Sequence, residues 1–145
     1  MQKLVDDMIQ TMDEYRGIGL AAPQVHHDLR LFIAVVSGND GQSDAGSVVA
    51  LFNPQLTVVG SEVAADWEGC LSIPGIRGLV PRAQEISVTA WDRGGDPIEL
   101  LATGLSARVI QHEYDHIDGV LFLDRMRDRA SLAYVDQLSE SVPAF

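Results

Sequence analysis

Two histidines one helical turn apart are the strongest chemical feature of this 145-residue sequence. His112 and His116 enclose the run Glu113-Tyr114-Asp115. On a helix, side chains four residues apart lie on one face, so both imidazoles can bind the same metal ion. Glu113 follows the first histidine directly and can approach a water molecule at that ion without binding the ion itself. The pattern H-E-x-x-H therefore predicts a metal site with a proton acceptor beside it.

Two imidazoles leave such a site one protein ligand short, because a catalytic metal ion takes three protein ligands and keeps one position open. A third histidine six residues after His116 is one known solution, but Phe122 stands there. A glutamate from a later helix is another, and Glu140 lies too near the chain end to be a good anchor. Cys70 remains, because a thiolate binds soft or borderline metals well. The two other histidines, in a polar turn, are expected to face solvent: His26 and His27.

Cys70 lies in the segment 68–75, which also contains Gly69, Pro74 and Gly75. Glycine and proline disfavour regular structure, so the sequence predicts a tight irregular loop around the cysteine. A lone cysteine is more often an inert apolar side chain. Only the helix motif turns Cys70 into a ligand candidate, because a thiolate held beside two imidazoles would complete a His2Cys site.

The elements that must position these residues are short. Apolar residues at helical spacing predict a first helix over 2–15, and Gly17 just beyond it is typical of a helix C-terminus. A second helix is predicted from Thr103 or Gly104 through Ile117, with Leu105, Val109 and Ile110 on its buried side, and a weakly helical segment over 128–139. Strands are predicted over 31–36, 48–53, 56–59, 85–91 and 97–103, with a surface hairpin loop over 37–47.

The connections between these strands are too short for crossovers, so antiparallel pairing is expected. The fold class is therefore α+β. Short antiparallel sheets would pack around the central helix of the two histidines, with an N-terminal helix and a C-terminal helical segment. The length suits one domain over 1–145.

Charge and apolar content exclude several classes of protein. The chain carries 10 basic and 21 acidic residues, a formal net charge of −11, which disfavours direct binding of nucleic acid. Its longest apolar run, Leu31–Val36, is far shorter than the ~20 residues that span a bilayer. The acidic first helix does not resemble a signal peptide. A single cysteine excludes an internal disulfide and fits a reducing compartment. We expect a globular protein of the cell interior without a membrane partner.

Three separated motifs resemble those of the peptide deformylases. They are G-x-G-x-A-A-x-Q at 17–24, E-G-C-x-S at 68–72 and Q-H-E-x-D-H at 111–116. They occur in the family's order, and the resemblance extends from the first helix to about Met126. It implies a metallohydrolase that removes the N-formyl group from the N-terminal formylmethionine of newly made polypeptides and releases formate. The implied location is the bacterial cytoplasm, or an organelle after removal of a transit peptide.

The resemblance also assigns roles to individual residues. Glu113 would accept the proton of the attacking water and pass it to the leaving amine. The side-chain amide of Gln24 and the backbone N–H of Leu71 would stabilise the negative oxygen that develops. The ion is typically iron(II), with zinc, nickel or cobalt as substitutes. The metal ligands would be Cys70, His112 and His116.

Substrate contacts follow from treating the substrate as an extended peptide that pairs with exposed backbone. Backbone near Ile18 and Gly19 would pair with it on one side and backbone over 69–71 on the other. The methionine side chain needs an apolar pocket, for which core-like residues of the first motif and the second helix are candidates. Arg108 is expected either at the pocket rim or in solvent. The substrate-contact candidates are Ile18, Gly19, Gly69, Leu105, Arg108 and Val109.

Two further acidic residues stand within these motifs. Glu68 is predicted to pair with Arg82 and thereby brace the cysteine segment. Asp115 could orient a ligand or cap nearby backbone, and the sequence does not decide between these.

The sequence also departs from the family pattern at both ends. Typical deformylases carry a further segment before the first helix, so the N-terminal segment is expected to be shortened. Relatives with a long basic C-terminal helix dock on the ribosome. The acidic and apolar stretch 136–145 disfavours docking by that route and leaves transient contact at most.

Two other functions compete with deformylation. One is a metallopeptidase or amidase that uses the same metal site, which hydrolysis of unformylated peptides would reveal. The other is a catalytically inactive protein that binds formylated peptides. The intact Glu113 argues against the second, because inactive relatives of enzymes usually lose the base or a ligand.

Overall fold

The computed structural model describes residues 1–37 and 46–138. Helices α1, α2 and α3 span Gln2–Glu14, Gly104–Ile117 and Phe122–Arg125. Strands β1 to β8 span Gly19–Ala21, Leu31–Val36, Ser47–Val58, Val63–Cys70, Ile73–Ala83, Glu85–Trp91, Pro97–Thr103 and Ala133–Tyr134. Short 3-10 helices cover Ala22–Val25, Arg129–Ser131 and Val135–Gln137.

The strands form two antiparallel sheets, one of five strands in the order β1-β2-β3-β6-β7 and one of three in the order β4-β5-β8. The predicted combination of antiparallel sheets with few helices is confirmed. Strand β3 is continuous where the sequence predicts two strands, because a register shift between Phe52 and Gln55 absorbs the irregularity. Asn53, within this bulge, has a φ of 47°.

Helix α1 covers one end of the larger sheet. Its fully buried side chains, Val5, Met8 and Met12, recur at helical spacing. They form one apolar cluster with Leu31 and Ile33 of β2. Burial of this stripe, rather than helix propensity, holds α1 in place.

Helix α2 packs against β1 and β2 of the larger sheet and against β5 of the smaller one. Its apolar residues Ala107, Val109 and Ile110 belong to the main core of the larger sheet. Its buried polar residues are Arg108, His112, Glu113, Asp115 and His116. The expectation that Leu105 lies on the buried side is wrong: it is 53% exposed in the first turn, before the helix enters the core.

Two predicted segments differ from the observed structure, one toward the C-terminus and one around the cysteine. The weak helix expected over 128–139 is replaced by two 3-10 turns on either side of β8, which pairs with β5. In place of the irregular loop expected around Cys70, β4 and β5 form a paired hairpin with a register shift between Glu68 and Cys70. Cross-strand pairing outweighs the local effect of Gly69 and Pro74.

The loop predicted over 37–47 falls largely outside the described residues, although the strands beside it pair as a hairpin would. No helix within the two described ranges is both long enough and apolar enough to span a membrane.

Candidate metal centre

Three potential ligand atoms converge where the end of β4 meets α2. The ligand atoms of Cys70, His112 and His116 all lie within 4.8 Å of one another. The Cys70 Sγ lies 3.3 Å from the His116 Nε2, which lies 3.2 Å from the His112 Nε2. All three side chains are buried. The structure thus brings together the sulfur and the two nitrogens that the sequence predicts as ligands.

The hairpin places the sulfur beside a local irregularity. Strand β4 shifts register between Glu68 and Cys70, and Cys70 then pairs with Ile73 across the tight turn. Glu68 and Cys70 are two residues apart on β4, so regular alternation already puts them on one face, and both are buried.

Glu68 fixes the orientation of one histidine ring. Its carboxylate, completely buried, accepts a hydrogen bond from Nδ1 of His112 at 3.0 Å. Burial raises the pKa of Glu68, but hydrogen bonds from His112 and Arg82 outweigh it and lower the pKa to about 2. An ionised carboxylate can only accept, so Nδ1 carries a proton and Nε2 faces the other two ligands.

The predicted pair of Glu68 and Arg82 is present and is part of a larger buried network. Arg82 donates from Nε and Nη2 to the two oxygens of Glu68 at 2.9 and 3.0 Å. It also donates to Asp115 at 2.7 Å, and Asp115 accepts two further hydrogen bonds from Arg125. Asp115, which the sequence left without a role, therefore links the helix of the histidines to the cysteine hairpin through Arg82.

Arg108 belongs to the same network, so the expectation that it could lie in solvent is wrong, whereas its place at a pocket rim stays a prediction. It is 4% exposed and donates to Glu68 at 2.9 Å. It also donates to the carbonyl oxygens of Val80 and Ala64, each at 2.8 Å. A buried guanidinium needs such partners for its charge and donors, and Glu68 supplies the countercharge.

The environment favours a thiolate at Cys70. Burial raises the pKa of its thiol, but hydrogen bonds with His112 and His116 outweigh burial and lower it to about 5. Burial lowers the pKa of His112, and hydrogen bonds with Cys70 and Glu68 raise it to about 10. Without an ion, an imidazolium thus accompanies the thiolate, and metal binding releases the proton.

Glu113 lies beside the three ligand atoms without joining them. Burial is the main cause that raises the pKa of its carboxyl to about 7. Its Oε2 is buried and has no hydrogen-bond partner among the residues that the structure describes. A Cβ built on Gly19 would lie 2.8 Å from Cδ of Glu113, so β1 approaches this carboxyl closely only because residue 19 is glycine.

Gln24 reaches the site from the first motif. Its Oε1 accepts a hydrogen bond from the backbone N–H of Ala21 at 2.8 Å. Its Nε2 lies 3.6 Å from the Cys70 sulfur and 3.0 Å from the Ser72 hydroxyl. Leu71 follows Cys70 directly in the turn and packs with the α1 cluster. The two residues predicted to stabilise negative charge therefore both lie next to the cysteine.

The other residues predicted to contact the substrate lie in different surroundings. Ile18 packs against the main core and Val109 lies inside it, 1% exposed. Gly69 accommodates a side chain of the protein itself, because a Cβ there would lie 2.6 Å from Nε of Arg77. His26 and His27 are exposed, as predicted.

Sequence reasoning assigned no role to Ser72, Arg77 and Arg125, although Ser72 stands inside a quoted motif. Ser72, two residues after Cys70, had a position that indicated a place near the site, whereas no local pattern indicated this for Arg77 or Arg125.

The donor set fits a divalent metal ion. One thiolate sulfur and two imidazole nitrogens suit zinc, iron, cobalt or nickel. The unpartnered Oε2 of Glu113, buried beside them, is placed to accept a proton from a water molecule at such an ion.

Comparison with known proteins decides the family. The model of the polypeptide deformylase family matches residues 1–131, most of the chain. The chain belongs to the polypeptide deformylase family. It is 46% identical over 140 residues to peptide deformylase 2 of Pseudomonas putida, which covers 95% of this chain and 79% of that relative. Peptide deformylase 1 of Bordetella pertussis is 44% identical over 140 residues, or 95% of this chain and 80% of the relative.

Solved deformylase structures share the fold. A probable peptide deformylase from Synechococcus phage S-SSM7 superposes with a TM-score of 0.78 at 36% identity, covering 87% of this chain and 83% of that one. A deformylase from Acinetobacter baumannii with bound Met-Ala-Ser also has a TM-score of 0.78, at 38% identity, covering 86% and 80%. This chain, as a member of the polypeptide deformylase family, is thus a hydrolase that removes the N-formyl group from newly made polypeptides.

Proposed function

We propose that Cys70, His112 and His116 hold one divalent metal ion and that Glu113 transfers the proton during deformylation. The convergence of one sulfur and two nitrogens within 4.8 Å carries the first part of this proposal. The buried, unpartnered Oε2 of Glu113 carries the second. When bound, the ion supplies Lewis acidity, which polarises the formyl carbonyl and makes water nucleophilic near neutral pH.

Glu113 performs the proton transfers of the reaction. Its carboxylate accepts the proton of the attacking water, whose oxygen forms the new bond to the formyl carbon. The bond from that carbon to nitrogen then breaks, Glu113 returns the proton to the leaving amine, and formate departs. A carboxyl pKa of about 7 suits both directions of transfer, because base and acid forms are then both accessible at neutral pH.

Gln24 and Leu71 stabilise the negative oxygen that develops on the formyl group. The Gln24 amide nitrogen lies on one side of Cys70, and the backbone N–H of Leu71 follows Cys70 in the chain. Donors held in place before the reaction stabilise the transition state without reorganising.

The peptide lies along the open edge of β1. Strand β1 ends the five-stranded sheet, with β2 as its only neighbour in the described sheet. The carbonyl of Ile18 already accepts from Val35 of β2 at 2.8 Å. Because backbone groups of successive strand residues alternate in direction, Gly19 turns its N–H and C=O to the open edge, where an extended peptide can pair. On the other side of the peptide, backbone at Gly69 is the pairing partner.

The methionine pocket remains a prediction. Leu105 and Val109 share α2 with His112, but Leu105 lies in its first turn and Val109 is enclosed by core residues. Ile18, partly buried beside β1, is the residue that we propose for contact with the methionine side chain.

We propose iron(II) as the resident ion, as the family resemblance implies, with zinc, nickel or cobalt able to replace it on the same ligands. We propose that the protein acts on newly made chains in the cytoplasm or in an organelle, with no more than transient contact to the ribosome. The bacterial relatives support the cytoplasmic alternative.

The test is formate release from formyl-Met-Ala-Ser by protein purified anaerobically with iron(II). We expect rapid release of formate from formyl-Met-Ala-Ser, in proportion to the bound metal. We expect no hydrolysis of acetyl-Met-Ala-Ser and no loss of a residue from unformylated Met-Ala-Ser. Cleavage of the unformylated peptide by protein with one equivalent of metal would contradict the proposal and identify an amidase. Release that is unchanged after Cys70→Ala would contradict the ligand assignment.

A further inference from the structure

Ser72 contacts Gln24, although it has no role of its own in the proposed reaction. It lies in the turn between β4 and β5, two residues after Cys70, and its side chain is exposed. Its hydroxyl oxygen accepts a hydrogen bond from Nε2 of Gln24 at 3.0 Å. This contact joins the cysteine turn to the 3-10 helix Ala22–Val25 across a separation of 48 residues.

The orientation of the Gln24 amide follows from its other partner. The backbone N–H of Ala21 can only donate, so the side-chain atom that it meets at 2.8 Å must be the carbonyl oxygen Oε1. The amide nitrogen Nε2 therefore faces the cysteine turn. There it has the Ser72 hydroxyl at 3.0 Å and the Cys70 sulfur at 3.6 Å.

The two hydrogens of Nε2 have separate uses. The amide is planar, so a hydrogen bond from one hydrogen to Ser72 fixes the direction of the other. That other hydrogen points toward the side of Cys70, where the ligand atoms converge. The Ala21 bond alone anchors only Oε1 and leaves the plane of the amide free to tilt.

We infer that Ser72 is a positioning residue, whose hydroxyl aims the second N–H of Gln24, on the side of Cys70, at the formyl oxygen. This inference rests on the proposed function, in which Gln24 stabilises the developing negative charge. Ser72 touches neither substrate nor metal in this role. Its contribution consists in holding a donor in place before the charge develops, which is the condition for electrostatic stabilisation in an enzyme site.

Alanine at position 72 removes the hydroxyl alone. The backbone N–H of Ser72, which helps to lower the pKa of Cys70, remains in the variant. Because the side chain is exposed, little packing is lost. Complete loss of an oxyanion donor costs about 10²–10³-fold in kcat. Loss of its orientation should cost less, and we expect a fall of about tenfold, the equivalent of one ordinary hydrogen bond.

The experiment is a double-mutant cycle on the iron(II) enzyme with formyl-Met-Ala-Ser. It compares wild type, Ser72→Ala, Gln24→Ala and the double variant, with metal content and melting temperature measured on each. Ser72→Thr tests rescue by another hydroxyl. Ser106→Ala is the matched control, because the Ser106 hydroxyl also accepts one hydrogen bond, from the N–H of Ser37 at 3.0 Å, at the far end of α2.

We expect Ser72→Ala to lower kcat about tenfold with KM within about twofold of wild type, and Ser72→Thr to recover most of the loss. In the Gln24→Ala background, Ser72→Ala should cost less than about twofold more, because the amide it positions is gone. Ser106→Ala should retain the wild-type kcat.

Two sets of results would overturn the inference separately. An equal loss from Ser72→Ala in both backgrounds, an unchanged kcat, or an equal loss from Ser106→Ala would refute Ser72 as a positioning residue while leaving Gln24 in its role. No formate release by metal-loaded wild type, or full kcat in Gln24→Ala, would refute the proposed function and the inference with it.

Discussion

Glu113 is enclosed by protein yet keeps one carboxylate oxygen, Oε2, without a partner among the described residues. A buried polar atom without a partner is costly unless a functional group meets it. This arrangement suits a proton acceptor that must not be tied up by neighbouring donors.

Replacement of Glu113 by Gln should abolish most of the activity while the metal stays bound. Glutamine keeps the shape of the side chain but cannot accept and return a proton. We expect kcat for formate release to fall by roughly 10²–10⁴-fold. Metal content, measured by elemental analysis, should stay at one equivalent. Loss of metal together with activity would show that the carboxylate acts in binding rather than in proton transfer.

In the proposed metal site, Glu68 would act on the ion through His112. Replacement by Gln removes the charge that holds the protonated Nδ1 of His112 and that balances Arg82 and Arg108. We expect about 10–100-fold weaker metal affinity, the usual effect of losing a partner behind a ligating histidine. Competition with a chelating dye measures this.

The exposed Glu99→Gln is the control for Glu68→Gln, since it removes the same charge from strand β7, outside the buried network of Glu68, Arg82 and Arg108. Equal metal affinity in Glu68→Gln and Glu99→Gln would contradict an orienting role for Glu68.

At the scale of elements, the site depends on the close approach of β1 to α2. Gly19 of β1 lies against the Glu113 carboxyl so closely that any side chain there would overlap it. The strand and the helix are both held by the main core, so neither can withdraw easily.

Gly19→Ala should therefore displace Glu113 and lower kcat about 10²-fold, because a shift of about 1 Å in a reacting group costs that much. Metal content should not change, since the three atoms nearest to the added methyl group all belong to Glu113 and none to a ligand. The control is Gly60→Ala: a Cβ there meets nothing within 4 Å, and its φ of 70° adds only backbone strain. If both variants kept full kcat, the close approach would have no catalytic importance.

At the scale of the whole molecule, the proposed metal site joins the two sheets. Cys70 comes from the three-stranded sheet, and the histidines stand on a helix packed against the five-stranded one. An ion that binds only this assembled arrangement should stabilise the folded chain as a whole.

Metal removal should lower both activity and stability. At a free metal concentration of about 1,000 times Kd, binding contributes about 4 kcal/mol. At about 2–4 °C per kcal/mol for a chain of this size, chelation should lower the melting temperature by roughly 10 °C. Calorimetry with and without chelator measures the shift, and added metal should restore it. Cys70→Ala should show no such shift, and a similar shift in this variant would contradict the ligand assignment.

Much of the site was predictable because its signals are local. The spacing of His112, Glu113 and His116 needs only a helix to place all three on neighbouring faces, and that helix was predicted with its observed bounds. The partnership of Glu68 with Arg82 was predicted from the motif around Cys70 and is present.

The surroundings of Cys70 were not predictable from local pattern. The sequence indicated an irregular loop, whereas β4 and β5 form a paired hairpin there. Glycine and proline lower strand propensity locally, but pairing between two strands and burial against α2 depend on residues far apart in the chain. The weak helix expected over 128–139 was wrong for the same reason, because β8 pairs with β5.

The sequence by itself determined the chemistry of this protein: a thiolate, two imidazoles at helical spacing, a carboxylate beside them, and the motifs of a deformylase. Only the tertiary structure decided the position of Arg108, which is a buried partner of Glu68 rather than a residue in solvent, and the contact of Ser72 with Gln24. The physical reason is how far apart along the chain the interacting residues are. Helical spacing is set by bonds within one segment, whereas the burial of a charge or the aim of an amide depends on partners that folding brings from elsewhere in the chain.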